Sequence, residues 1–580
     1  MGTISDKLMR IINTKEDIRQ ALISKGYDVP TSIPFKEYAK MISDLPCRVD
    51  SFPDIEGIVA RYSALGLTNE QMAANPVWVD KTGNGHDIQL KNFSWKGMSG
   101  VGGYEMNFNL WRNNVSSIPD ISMSTTTTSV SVSVGNSTYN NNLIYIHISN
   151  WDINKNHWLK VTSTYEDGDL AFIFYNDSNT KKIGLPANGY VNILAYPEFK
   201  GSYMYISTIS NKQGSFTIEQ LPLYPGALVF DGVDDYGVCD NFPILTKEKG
   251  YTVVALRQWD QDFLNTTLTG GLLSTRNYST GEGVAFEKIE SSSKGYWNLG
   301  AGGIIDFAKS PFTWQTSKQY NNVGILKGGK NHGKPLCVGC GLSGGQQCGR
   351  FAIWELVILD HDATEEELTK IKNYFVKTYP WLFPDQAWTV VGKTNEDEDR
   401  ATIANITGNG NDLVLSNFGF IEGSGYNKEG EYAGYLVTDG VDDKITSSIF
   451  EMGNDWTVIG DWKLINTGKN DNAGIVKFDS IVIYNYNSIL INIKNGRNNL
   501  IPDQNTVNAI CSDGRIYSKD WKESIYNEET ESTSKNFLTI GYSGNSYTKI
   551  AFKNLAIYPT VLSKEDCIKA YNYLQTLKAK

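Results

Sequence analysis

Histidine and cysteine are the residues this chain has least of. Its five histidines are His86, His147, His157, His332 and His361. None sits at a nucleophile-elbow turn or in a metal-binding helix pair, so a His-centred catalytic relay is not expected. The seven cysteines are an odd number, four of them scattered (Cys47, Cys239, Cys511, Cys567), which argues against a disulfide framework. No stretch approaches the ~20 apolar residues of a membrane span. The N-terminal "MGTISDKLMRIINTKEDIRQ" lacks the apolar run of a secretory leader, so synthesis in a cytoplasm is the expectation. Positive charge is not in excess. With a net charge of -11 and a pI near 5.2, nucleic acid and anionic membranes are poor partners.

What is plentiful is glycine, at 54, and tyrosine, at 32. That usage favours many short strands joined by turns. The strongest internal signal is a repeat. "LVFDGVDDYGV" begins at Leu228 and "LVTDGVDDKIT" at Leu436. Around each string the same blocks recur in the same order. Thr-Asn-Glu comes first, then Thr-Gly-Asn-Gly, an alternating stretch ("HDIQLKNF", "NDLVLSNF"), and a run suited to a sheet interior ("YTVVALRQW", "WTVIGDWKL"). A long apolar run follows ("FAIWELVIL", "IAFKNLAIY"), then a helix opened at capping-box spacing by Thr364 with Glu367 or Ser563 with Asp566. The Thr-Gly-Asn-Gly blocks read as tight turns.

The copies differ at one place. The second passes from Tyr426 to Tyr435 in a few residues, whereas the first passes from Tyr104 to Gly226 through some seven strand-like stretches. That length suits a sandwich of its own, inserted at a surface turn. Residues 1–48 differ again. They read as two short helices, with Ile18, Leu22 and Ile23 on one apolar face and Phe35, Ala39 and Ile42 on another. Helices this short need a partner surface.

"FDGVDDY" ahead of "YTVVALRQW", with a last strand leading into "LSKED" and a helix, resembles the laminin-G-like, concanavalin A-like lectin jelly roll. The resemblance covers about two-thirds of the chain in two copies. It implies a mostly-β chain: a first jelly roll at 49–108 and 226–384, an inserted β-sandwich at 109–225, a second jelly roll at 385–580, and the helical segment at 1–48 before them. The string "INTKEDIRQALISKGYDVPTSIPFKEYAKMI" is similar to N-terminal segments of structural proteins from tailed phages of gut Bacteroidetes, crAss-like phages included. There it precedes fibre or appendage modules. It implies a virion subunit, held to other virion proteins by its helices, assembled as a homotrimer, and adsorbing reversibly to surface polysaccharide. A bacterial cell-associated glycan binder, a polysaccharide depolymerase and an inert capsid decoration are the other readings.

Two sets of residues could carry binding. Asp231, Asp234 and Asp235, with Asp439, Asp442 and Asp443, could supply calcium with oxygens, or could simply build a turn before a strand. The turn reading is the expectation, with chelation leaving melting nearly unchanged, and calcium is the one cofactor admitted. Trp95 and Trp111 flank the insertion, and Trp151 and Trp158 lie in it; these are the candidate platforms on which a sugar ring would stack. Cys337, Cys340 and Cys348, with His332 upstream, have zinc-like spacing, but aligning the copies sets Cys337 against Thr539 and Cys340 against Tyr542, which argues for buried structural thiols. No catalytic residues are assigned. The paired carboxylates on alternate residues of one strand that a retaining glycosidase of this fold would use are absent from the sequence.

Overall fold

The alternating stretches become half-buried strands. In Ile88–Lys91 the buried residues are Ile88 and Leu90, and in its twin Leu413–Ser416 they are Leu413 and Leu415. The β-branched runs become the longest strands, Thr252–Trp259 beside Arg350–Leu359 and Thr457–Leu464 beside Ile550–Tyr558, buried along almost their whole length. The computed structural model describes most of residues 52–579; the longest segments outside it there are 148–156, 194–202, 276–284, 307–322 and 526–537. Before residue 52 it describes only Lys15 and Arg19, both helical, so the remaining residues of the two expected N-terminal helices lie outside the described residues.

The chain is mostly β and built of β-sandwiches. In the first repeat one sheet runs Val323–Lys327, Thr252–Trp259, Arg350–Leu359, Leu228–Asp231 and Gly100–Val101, with Ile58–Ser63 also paired to Arg350–Leu359. The facing sheet carries Ile88–Lys91, Tyr236–Cys239, Leu336–Val338 and Gly270–Ser274 as neighbours. The second repeat reproduces the central strand order of both sheets and extends the first of them by Arg515–Ser518 and Glu523–Ile525. Val238 pairs with Cys337, and its twin Thr446 pairs with Thr539, so the thiol and the hydroxyl occupy one position. Even the irregularities recur: a bulge interrupts the central pair after Leu256 in one copy and after Asp461 in the other.

Strands between Arg112 and Gln220 pair only with one another among the described residues, as two five-stranded antiparallel sheets. Their core is separate, built on Val132, Leu159, Val161, Phe172, Ile206 and Ile218. Each jelly roll ends in its helix, Glu365–Thr378 or Lys564–Gln575. Thr364 accepts from the Glu367 backbone, Ser563 from that of Asp566, and the first helix has a complete capping box.

A buried ion pair and the C-terminal helix hold these elements in place. Glu355, fully buried in the central strand of the first jelly roll, is 3.3 Å from Arg61 and accepts from the Tyr379 hydroxyl at 2.8 Å. A buried carboxylate is tolerated there because a guanidinium and a phenol satisfy it. The C-terminal helix meets all three sandwiches. Cys567, Ile568, Ala570 and Leu574 on it are buried in its own jelly roll, Tyr573 packs edge-on against Trp354 of the first, and Thr576 accepts from Gln258 at 3.0 Å. Tyr571 packs edge-on against Trp158 of the insert, 5.3 Å between centroids.

Candidate functional site

The repeated strings form one structure twice. Strand Leu228–Asp231 ends in a turn in which Asp231 Oδ1 accepts from the backbone of Val233 at 2.7 Å and of Asp234 at 3.4 Å. Asp439 does the same for Val441 and Asp442, at 2.7 and 3.2 Å. A short acceptor two residues back stabilises such a turn. Gly232 and Gly440 sit at φ of +76° and +75°, and a Cβ on either would press into Arg350 or Lys549 of the neighbouring strand, so only glycine fits.

The last aspartate of each string turns inward. Asp235 Oδ2 accepts from the Asp231 backbone at 3.0 Å and its Oδ1 from Ser99 Oγ at 2.9 Å; Asp443 Oδ2 accepts from the Asp439 backbone at 2.8 Å, with Ser424 in the place of Ser99. Both carboxyls are fully buried. Burial pushes Asp235 up to about 7, aided by the nearby Asp231 and Asp234 charges and opposed by the backbone N–H of Asp231 and the Ser99 hydroxyl. Asp443 is pushed up to about 6, again chiefly by burial. Oxygens of the three carboxylates in each turn lie within 4.8 Å of one another. A hard cation could be held by the outward oxygens of Asp231 and Asp234, or Asp439 and Asp442, but the inward carboxylate already serves the turn.

Beside each turn stands an aromatic pair. Phe93 and Trp95 stack at 4.8 Å, and Phe93 meets Phe230 of the strand that leads into the turn. In the twin, Phe418 and Phe420 lie 6.0 Å apart, with the Arg400 guanidinium 5.1 Å over Phe420. Asn92 and Asn417 tie pair to turn, each donating from Nδ2 to the backbone carbonyl of Asp234 or Asp442, at 3.1 and 3.0 Å. Another pair of amides went unread in the sequence. Asn69 and Asn395, from the repeated Thr-Asn-Glu, bind the backbone N–H and C=O of Val101 and Asn395's partner Tyr426, and so hold the short edge strands. Their recurrence was the available signal.

The four tryptophans separate. Trp95 is half-buried in the aromatic pair with a left-handed backbone, φ +54°. Trp111 and Trp151 lie outside the described residues. Trp158 is corrected: it is 6% exposed, enclosed by Tyr571 and Trp521, and offers no face to a sugar. Cys337, Cys340 and Cys348 are buried together under Tyr236 and Val238. Two narrow pockets among the described residues, of about 10 Å³ near Phe242 and Tyr251 and about 20 Å³ near Trp158 and Asn572, have room for little more than a water molecule, whereas Val233 and Val441 at the tips of the turns are 75% and 71% exposed.

The chain matches no family model and no curated protein sequence. Among solved structures it is similar to the binding domain of botulinum neurotoxin serotype D, at 10% identity over 59% of this chain and 88% of that one, with a TM-score of 0.23. The ligand-binding domain of that serotype in complex with N-acetylneuraminic acid is matched at 11% identity, 58% and 87% coverage, and a TM-score of 0.21. Trypanosoma rangeli sialidase in complex with sialic acid is matched at 9% identity, 79% and 85% coverage, and a TM-score of 0.18. At such values the likeness is one of β-rich construction alone.

Proposed function

We propose that this chain is a non-catalytic, glycan-binding structural subunit of a tailed-phage virion, in which the two aspartate turns and their aromatic pairs touch host or mucosal polysaccharide reversibly. One observation carries the reading. The fold uses Asp231, Gly232 and Asp235 of the string, and the same three positions of its twin, but it makes no packing use of Val233 or Val441, which stand in solvent. Those valines, and the exposed Asp234 and Asp442 beside them, are nevertheless identical in two copies that differ at most other surface positions. An aliphatic tip suits the C–H face of a sugar, and an adjacent carboxylate accepts from its hydroxyls. Each contact is weak, and several on one particle gain avidity of about 10²–10⁴. The N-terminal string supports the virion setting, with attachment through the helices and assembly as a homotrimer.

A glycan array of capsular and mucosal polysaccharides tests it. The intact protein is expected to bind, and Val233→Ser with Val441→Ser to weaken binding by about tenfold or more with melting unchanged, since both side chains are exposed. Binding that survives the double substitution would move the site elsewhere. Reducing-end release from the same polysaccharides would replace the adhesive reading with a depolymerase. Antibody to the chain is expected to label intact particles in electron microscopy; particles that carry none of it would remove the virion setting.

A further inference from the structure

The two sheets of the insert turn different faces outward. In the sheet that carries Trp158, strand Ser129–Val134 buries Val130, Val132 and Val134 and leaves Ser129, Ser131 and Ser133 on the outer face. That outer face meets the second jelly roll, where Trp158 packs on Tyr571. The outer face of the other sheet looks the opposite way. Its strand Leu170–Tyr175 buries Leu170, Phe172 and Phe174 in the core, which sets Ala171, Ile173 and Tyr175 on the outer face. Tyr175 is 46% exposed, and it is the only exposed aromatic residue among the described residues.

The strand register extends that face across the sheet. Tyr175 pairs with Thr180 and with Tyr203, and Tyr203 pairs with His147. In the next row Ile173 pairs with Lys182 and with Tyr205, Tyr205 with Tyr145, and Tyr145 with Arg112. Partners across an antiparallel ladder share a face. Tyrosine positions therefore dominate two adjacent rows, and the longer row starts at a lysine and ends at an arginine. Neither row contains an Asp or a Glu, although the chain as a whole has a net charge of -11. Lys182 is exposed, and Ile173 and Tyr205 are half-buried. With strands about 4.8 Å apart, the longer row spans roughly 19 Å, more than a single sugar ring.

We propose that this face of the insert binds an acidic polysaccharide, one whose sugars carry carboxylates, with Tyr175 as a stacking surface and Lys182 as a charge partner. A tyrosine ring covers the C–H face of a sugar while its hydroxyl exchanges hydrogen bonds at the rim. Cations at the ends of the row attract carboxylates, and the lack of Asp and Glu along it leaves nothing to repel them. Single-stranded nucleic acid also stacks on aromatic rings. It draws its affinity from many phosphate contacts, however, and two cations on an acidic chain are too few. The aspartate turns differ, because Asp234 and Asp442 are exposed there and suit uncharged sugars. The two sites are thus separate in place and in ligand, and this one stands whether or not the turns bind glycan.

The test titrates the full chain with polygalacturonate, alginate, dextran and single-stranded DNA by calorimetry. The two carboxylated polymers are expected to bind more tightly than dextran or DNA, and to weaken as salt is raised. Tyr175→Ala and Lys182→Glu should each weaken that binding by about tenfold, with melting unchanged because both side chains are exposed. Lys182→Arg should keep it. Val233→Ser with Val441→Ser should leave it as it was, which separates this face from the turns. Failure of both carboxylated polymers to bind, equal affinity for dextran, tighter binding of DNA, or full affinity in the combined Tyr175→Ala and Lys182→Glu variant would each overturn the proposal.

Discussion

Trp158→Ala is expected to loosen the inserted sandwich from the C-terminal helix and to cost about 3–5 kcal/mol, the range for removing a large buried aromatic side chain. Trp158 is the second residue of strand His157–Ser163, in which Leu159 and Val161 enter the insert's own core. Alternation therefore puts Trp158 on the outer face with the exposed Lys160, where the second jelly roll covers it with Tyr571 at 5.3 Å and Trp521 at 6.2 Å, both edge-on, beside Leu221 and Pro222 at the end of the insert. The insert's core should survive the substitution. Calorimetry should accordingly show the insert melting earlier, as a separate transition, and limited proteolysis should cut near the ends of the insert before it cuts elsewhere. Trp158→Phe should keep most of the contact. A variant that melts as a single unchanged transition would mean that this packing contributes nothing.

The same residue marks where the sequence stops being informative. Its strand, and the face of the strand it occupies, were legible from alternation, and an outward tryptophan in a β-sandwich reads naturally as a ligand platform. What covers it is a helix some 400 residues further on, and no local pattern announces a contact made between domains at that separation. The turns were more legible because the chain holds its own second copy. Comparing the twins set Cys337 against Thr539, and the sheet register agrees. The division of labour within the string was not legible. Asp231 and Asp235 look alike in sequence, yet one caps the turn from outside while the other is buried under Ser99. That difference depends on a serine 136 residues away. The buried Glu355 was equally silent, since an acidic residue in "FAIWELVIL" gives no hint that Arg61 and Tyr379 will meet it.

The buried aspartate also fixes the second large effect, a stability that falls as pH rises. Asp235 has a folded pKa of about 7, well above the ordinary carboxylate range near 3.9. Between those values the folded chain holds a proton that the unfolded chain has released, so stability declines with pH across that window. The contribution of Asp235 is complete below about pH 4 and is lost as pH rises through 7; Asp443 behaves alike up to about 6. For Asp235 the difference across the window is on the order of 3 kcal/mol. Asp235→Asn should remove it. The amide still offers Oδ1 to the Asp231 backbone, its Nδ2 can donate to Ser99 Oγ once that hydroxyl turns, and no charge is left to desolvate. Urea unfolding at pH 5 and pH 8 should show the wild type losing stability on alkalinisation relative to the variant, with the variant the more stable of the two at pH 8. The inverse order at pH 8 would mean that the ionised carboxylate is needed where it stands. The same experiment in calcium and in chelator separates the reasons. If the turn alone uses Asp235, chelation leaves both melting curves in place to within about 1 °C, and if a cation occupies the outward oxygens of Asp231 and Asp234, both proteins melt lower once the cation is removed.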